Sequence, residues 1–158
     1  SKLYKKDKKT FYKLKRKLPK YIYSFPINKN HVSKAIIVNK SNLKKIIKVV
    51  HQEIRKKLKL FIKKNKEKKI IILDIPLLLE NKMNNKKDIL VFVDSKKTDI
   101  LRNLKKRKNY NSQILKKFKK IQFSVSYKKK VSHYIIKNEF TKKSVITGVN
   151  KILKKINK

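Results

Sequence analysis

The sequence predicts an α/β fold with a parallel sheet. Three short strand-like runs, Ile70–Leu73, Ile89–Val93 and His133–Lys137, are separated by stretches whose apolar residues recur every three or four positions. A short continuous apolar run suits a strand covered on both faces. Strands separated by helices are joined by crossovers, and crossovers make neighbouring strands parallel.

Each element follows from local pattern. Residues 2–18 read as one helix, with Leu3, Phe11, Leu14 and Leu18 on one side and Pro19 as its stop. Residues 19–40 are irregular, punctuated by Pro26, Asn28, Asn30 and Asn39, with a short helix over Ser33–Val38. Ser41 is the expected N-cap of a long amphipathic helix. Its stripe is Leu43, Ile46, Ile47, Val50, Ile54, Leu58, Phe61 and Ile62, and it ends in the lysine-rich turn 63–69. The strand Ile70–Leu73 ends in Asp74, and Ile89–Val93 ends in Asp94. Residues 96–107 carry Ile100, Leu101 and Leu104 at helical spacing, and 111–122 carry Ile114, Leu115, Phe118 and Ile121. After the strand His133–Lys137, a closing helix carries Val145, Val149, Ile152, Leu153 and Ile156.

Composition narrows the chemistry. The 158 residues carry 49 Lys+Arg against 9 Asp+Glu, a formal net charge of +40. With 39% apolar residues, 7 Phe and 7 Tyr, the chain has the means for a modest core. The absence of cysteine excludes disulfides, thiolate zinc sites, cysteine nucleophiles and iron–sulfur clusters. No apolar run reaches the roughly 18–20 residues that span a bilayer, so no membrane partner is expected, and no secretory signal is recognisable. A soluble, cytoplasmic protein is the expectation.

Arginine supplies only Arg16, Arg55, Arg102 and Arg107, so lysine dominates the charge, while alanine and glycine occur once each, as Ala35 and Gly148. Lys, Asn, Ile and Tyr have A/T-rich codons, so coding drift accounts for the lysines without a polyanion partner. A nucleic-acid binder more often keeps arginine, whose planar fork grips phosphate and guanine in bidentate fashion. A small lysine-rich nucleic-acid-binding protein, ribosomal or RNA-binding, is the alternative reading. It expects lysines on one face with exposed aromatics between them. Here the lysines are spread over every helix, and no specific nucleic acid is expected.

In open parallel sheets, ligands lie beyond the carboxyl ends of the strands. Asp74 occupies such a place and is followed by Ile75-Pro76-Leu77-Leu78-Leu79-Glu80. A carboxylate at the end of a buried strand is the placement used to hold Mg²⁺ or its water beside nucleotide phosphates; otherwise it caps the turn into Pro76.

The stretch Leu73-Asp74-Ile75-Pro76-Leu77-Leu78-Leu79-Glu80 resembles the D-[VI]-P-L-L-[FL]-E segment of dephospho-CoA kinases. Upstream, Val49-Val50-His51-Gln52-Glu53-Ile54-Arg55 is similar to that family's V-H-P-x-V-R on the long helix. Downstream, Asp88 with Ile89–Val93 resembles its D-x-V-x-V-V strand, and Arg107 falls where its lid arginine stands. Gln122, Lys128 and the strand ending at Asn138 fit its Q-x₅-K…V-I-x-N pattern. The resemblance spans about residues 1–157.

It has departures. Gln52 replaces the usual proline, His133 an acidic residue, and Phe118 a common arginine, for which Lys117, Lys119 and Lys120 are possible substitutes. The family also carries a G-x-x-x-x-G-K-[ST] loop and a D-A-D segment near its beginning. A chain whose one glycine is Gly148 contains no such loop, because backbone N–H groups wrapped round phosphates need glycine. The expectation is an N-terminally truncated fragment, short of about 35 residues and inactive as it stands.

The resemblance implies a P-loop-kinase-like three-layer α/β/α fold with a parallel sheet, helical substrate and lid regions, and the first strand and P-loop missing. Residues 1–69 would be the helical CoA-side region and 70–94 the core strands. Residues 95–130 would be the helical lid, and 131–158 the last strand and C-terminal helix. The implied activity is transfer of the γ-phosphoryl of ATP to the ribose 3′-hydroxyl of dephospho-CoA. ATP would be a co-substrate with Mg²⁺, with no tightly bound cofactor, and the protein would work as a monomer. Asp74 and Arg107 would be catalytic, Asp74 also touching Mg²⁺ through bound water. His51, Arg55, Leu77, Leu78 and Glu80 would face dephospho-CoA. Arg107, Lys128 and Asn138 would face the nucleotide. His31 is assigned no role.

Overall fold

A computed structural model describes residues 2–157. They form two compact units. One runs to Pro76 and includes Gln113–Lys120; the other comprises Leu77–Ser112 and the residues from Ile121 onward.

The first unit is helical. Where the sequence predicts one helix over 2–18, there are two, α1 (Lys2–Lys6) and α2 (Lys8–Lys17). The break falls at Asp7, whose side chain accepts from the Thr10 amide at 2.9 Å as the N-cap of α2. A carboxylate that satisfies an orphan N–H at a helix start competes with continuing the helix through it. Asparagines set the next two starts in the same way. Asn28 caps α3 (Lys29–Val38), which begins four residues earlier than the predicted Ser33. Asn39, rather than Ser41, caps α4 (Lys40–Lys64) by accepting from the Ser41 amide.

The α4 helix packs on both α2 and α3. Between them lie the buried side chains of Phe11, Leu14, Val32, Ala35, Ile36, Leu43, Ile46 and Val49. Inside this core Asn42 donates its side-chain amide to the Ala35 carbonyl at 2.9 Å, which also accepts from the Asn39 amide at the end of α3. The helix α6 (Ser112–Lys119) lies mostly in this unit. Its Lys117 ammonium donates to the Ile37 carbonyl at 2.9 Å, another cap on the end of α3.

The predicted strand Ile70–Leu73 is absent. The segment has no regular structure, and among the described residues no backbone hydrogen bond reaches residues 70–76. Its exposure alternates, with Ile71, Leu73 and Ile75 half-buried and Ile72 86% exposed. An apolar run gives a strand only where a neighbour supplies the ladder.

The second unit holds a two-stranded sheet, β1 (Val91–Asp94) and β2 (Tyr134–Lys137), paired in parallel with Val91 opposite Tyr134 and Asp94 opposite Lys137. This bears out the parallel pairing of the two later strands, each slightly shorter than predicted. Before the ladder starts, His133 and Tyr134 donate their amides to the Leu90 carbonyl, and the Leu90 amide donates to Nδ1 of His133 at 2.9 Å. The imidazole thereby supplies an acceptor beside the backbone pairing, which requires Nδ1 to be the unprotonated ring nitrogen.

Between the strands run α5 (Lys97–Lys105), the start of α6, and α7 (Val125–Val131); α8 (Lys142–Ile156) follows and packs on β2. Ser124 caps α7 by accepting from the Tyr127 amide. Among the described residues Ile136 and Met83 are the buried apolar side chains of this unit, while Val91, Val93 and Ile135 stay substantially exposed.

Candidate functional site

The first unit carries His51, Arg55 and Asp74. His51 and Glu53 are buried on α4, and Arg55 is exposed one helical turn beyond His51. Burial, and then the nearby Arg55 charge, hold the His51 imidazole below its ordinary pKa, so it is neutral at physiological pH. Glu53 meets the Lys13 ammonium of α2 at 2.5 Å, and Lys57 lies 3.4 Å from the Asp7 carboxylate. These pairs tie α2 and its cap to α4. Asp74 is exposed at the end of the unpaired segment and makes no ion pair among the described residues.

The second unit takes over at Leu77. Leu77 and Lys82 have left-handed backbones, φ 57° and 49°, which fold residues 77–83 into a tight turn. Asn81 donates its amide and its side-chain NH₂ to the Leu77 carbonyl, and Met83 donates to Leu78. Leu77, Leu78 and Leu79 are half-buried in this turn above buried Met83.

Glu80 leaves the same turn for α7. Its Oε1 lies 2.7 Å from the Lys128 ammonium and also accepts from the Phe123 amide at 2.9 Å. The two side chains are only 8% and 19% exposed. Burial raises the Glu80 pKa, but the Lys128 and amide hydrogen bonds outweigh it and hold the carboxyl ionised below its ordinary value. Two residues expected to face different substrates are therefore bonded to each other. What the Glu80 carboxylate does directly is to fix the turn and the start of α7 together.

At the carboxyl ends of the strands, Asn138 donates its amide to the Asp94 carbonyl at 2.7 Å, and its side-chain oxygen accepts from the Phe140 amide at 2.8 Å. Asp94 is in turn held by Lys129 of α7 at 2.5 Å. Phe140 adopts φ 59°, a costly conformation for an aromatic residue, and stands before Thr141, the N-cap of α8. Arg107 follows α5 in a turn closed by its amide to Leu104 and by the Tyr110 amide to its own carbonyl. Its guanidinium is exposed and joins no ion pair among the described residues, whereas Arg102 is bonded to Asp99.

No group of three metal-ligating side chains occurs among the described residues. Mg²⁺ in nucleotide sites is commonly held by one or two carboxylates plus substrate phosphates, and a lone exposed Asp74 fits that requirement. Sequence reasoning missed α7 and the two carboxylates that seat it. The N-cap signal was present, since Ser124 opens a run with Tyr127 three residues on. Nothing in the sequence, however, pairs Lys128 with Glu80 rather than with solvent.

The family model for dephospho-CoA kinase matches residues 2–143. A dephospho-CoA kinase of Wolbachia pipientis wMel is 30% identical over 157 residues, covering 98% of this chain and 80% of that relative. A dephospho-CoA kinase of Wolbachia sp. subsp. Brugia malayi (strain TRS) is 27% identical over 153 residues, 96% of this chain and 78% of the relative. These matches favour the kinase reading over the nucleic-acid-binding alternative.

Proposed function

We propose a function from one premise: the chain belongs to the dephospho-CoA kinase family. The family is one of ATP-dependent phosphotransferases. The observation that carries the proposal is the extent of the match, since residues 2–143 take in every candidate site residue from His51 to Asn138.

The reaction is transfer of the γ-phosphoryl of ATP to the ribose 3′-hydroxyl of dephospho-CoA, in a cytoplasmic and monomeric protein. No helix among the described residues is long and apolar enough to cross a membrane. The frame is a P-loop-kinase-like three-layer α/β/α fold in which β1 and β2 are two parallel core strands. Mg²⁺, when bound, offsets the charge of the phosphates, and Asp74 is the carboxylate to hold it or its water. Arg107 clamps charge that develops on the transferred phosphoryl. In the first unit Arg55 and neutral His51 on α4 face dephospho-CoA, and in the second unit Leu77 and Leu78 are assigned to the same substrate. Glu80 and Lys128 act through their mutual bond, setting that turn against α7, and Asn138 approaches the nucleotide from the end of β2. The 158 residues contain no glycine-rich phosphate loop, so the cradle for the triphosphate is not among them.

The test is titration calorimetry with dephospho-CoA. Saturable one-to-one binding is expected, weakened at least tenfold by Arg55→Ala and unaltered by Arg16→Ala. Binding that Arg55→Ala and Arg16→Ala weaken equally, or no saturable binding, rejects the proposal.

A further inference from the structure

Phe123 and Tyr127 form an exposed aromatic pair at the start of α7. Their ring centroids are 5.0 Å apart and inclined at 71°, with the residues 44% and 47% exposed. Both are fixed through their own amides, Phe123 to the Glu80 carboxylate at 2.9 Å and Tyr127 to the Ser124 hydroxyl at 3.2 Å. These bonds hold the backbone beneath both rings, and the rings' edge-on contact with each other limits the freedom left to lose on binding. Lys128 and Lys129 are engaged by Glu80 and Asp94. Lys130, three residues beyond Tyr127 and so on the same side of the helix, is exposed and makes no ion pair among the described residues.

We propose that Phe123, Tyr127 and Lys130 form a shelf for an adenine nucleotide, one ring stacking on the base, the other bracing it edge-on, and the lysine meeting a phosphate. An aromatic face offers stacking to a base, and a neighbouring cation matches the charge carried with it. A single-stranded nucleic acid is less suited, because it needs platforms repeated over several nucleotides and a continuous cationic groove. Here there are two rings and, of the three α7 lysines Lys128, Lys129 and Lys130, one in no ion pair among the described residues. The proposal rests on the reading above for its ligands, since both ATP and dephospho-CoA carry adenine.

The experiment compares binding of ATP, tripolyphosphate, dephospho-CoA and 4′-phosphopantetheine to the full chain at one salt concentration. Stacking on one base corresponds to roughly a 5- to 150-fold gain in affinity. ATP is expected to exceed tripolyphosphate, or dephospho-CoA to exceed 4′-phosphopantetheine, by a factor in that range, and the pair that shows it identifies the source of the base. Tyr127→Ala and Phe123→Leu should remove most of that advantage, and Tyr127→Phe should keep it. Phe123→Leu preserves an apolar residue before the helix, and circular dichroism checks that α7 persists in it.

Equal affinity within both pairs, or an advantage that survives Tyr127→Ala and Phe123→Leu, overturns the shelf. So does binding of an adenine oligoribonucleotide far tighter than ATP, which indicates a nucleic-acid platform. Dephospho-CoA binding that persists with its Arg55 dependence while the ring variants change nothing sinks the shelf and leaves the kinase reading standing.

Discussion

Gly148 on α8 stands against Ile136 on β2 so closely that a Cβ built on the glycine would lie 2.8 Å from Cγ2 of the isoleucine. That distance is well inside ordinary carbon–carbon contact. The one glycine of the sequence thus serves helix-on-strand packing, and no turn or positive φ requires it.

Gly148→Ala is accordingly expected to destabilise. Alanine improves helix propensity by about 1 kcal/mol, but overpacking against a β-branched neighbour costs about 1–3 kcal/mol. Ile136 is buried with few directions to yield. The melting temperature should fall by a few degrees, and the same substitution should cost less in an Ile136→Ala background, which removes the Cγ2 it meets. A rise in melting temperature for Gly148→Ala alone would show that the contact relaxes freely.

What the sequence displayed was its periodicity. The α4 stripe at spacings of three and four, and the short runs that became β1 and β2, all lay in one-dimensional pattern. Side-chain competition for backbone groups did not. Asp7, Asn28 and Asn39 each moved a helix boundary by accepting one amide. Ile70–Leu73 failed as a strand because pairing is a property of two segments, and a pattern describes one. For the site, the residue types were legible and their partners were not. Glu80 reads as a free carboxylate until Lys128 is brought to it, and His133 as a departure until Leu90 is found donating to its ring.

The Glu80–Lys128 pair gives a second measurable outcome. Glu80→Gln keeps an acceptor for the Phe123 amide but leaves a largely buried ammonium without its counter-charge, for a loss of about 1–3 kcal/mol. Lys128→Met leaves the carboxylate in the same position. The double variant removes both charges and should be more stable than the sum of the single losses, with a coupling of about 0.5–3 kcal/mol. Thermal or urea unfolding of the four proteins measures it. Strict additivity would mean that the two groups do not interact in solution.

Acid should unfold the chain earlier than a lysine coat alone predicts. The Lys13 hydrogen bond lowers the Glu53 pKa, the Thr10 amide lowers that of Asp7, and Lys128 with the Phe123 amide lowers that of Glu80 against its burial. A carboxyl whose folded pKa lies below its unfolded value, about 4, contributes stability above that value. The contribution is lost as pH falls through the folded pKa. His51, lowered by burial and by Arg55, begins the loss sooner, since the unfolded histidine takes up its proton near about pH 6.5. Melting temperature is therefore expected to decline below about pH 6.5 and steeply below about pH 4. Glu53→Gln should flatten the lower part of that curve. A flat profile down to about pH 3 would contradict these ion pairs.

Arg107 separates a catalytic arginine from a residual one. Only four of the 49 cationic side chains are arginine, and of these Arg102 is held by Asp99 while Arg107 is exposed in its turn without an ion pair among the described residues. If Arg107 clamps the transferred phosphoryl, two parallel N–H donors matter, and lysine supplies a point charge without that fork. In dephospho-CoA-dependent ADP release by this chain fused behind a family member's phosphate-loop segment, Arg107→Lys should lower kcat at least tenfold with little change in stability. Arg102→Lys, which keeps a cation beside Asp99, should leave kcat near the parent value. Equal rates for the parent and Arg107→Lys would remove Arg107 from the reaction and leave the lysines of the α6–α7 region to supply the charge.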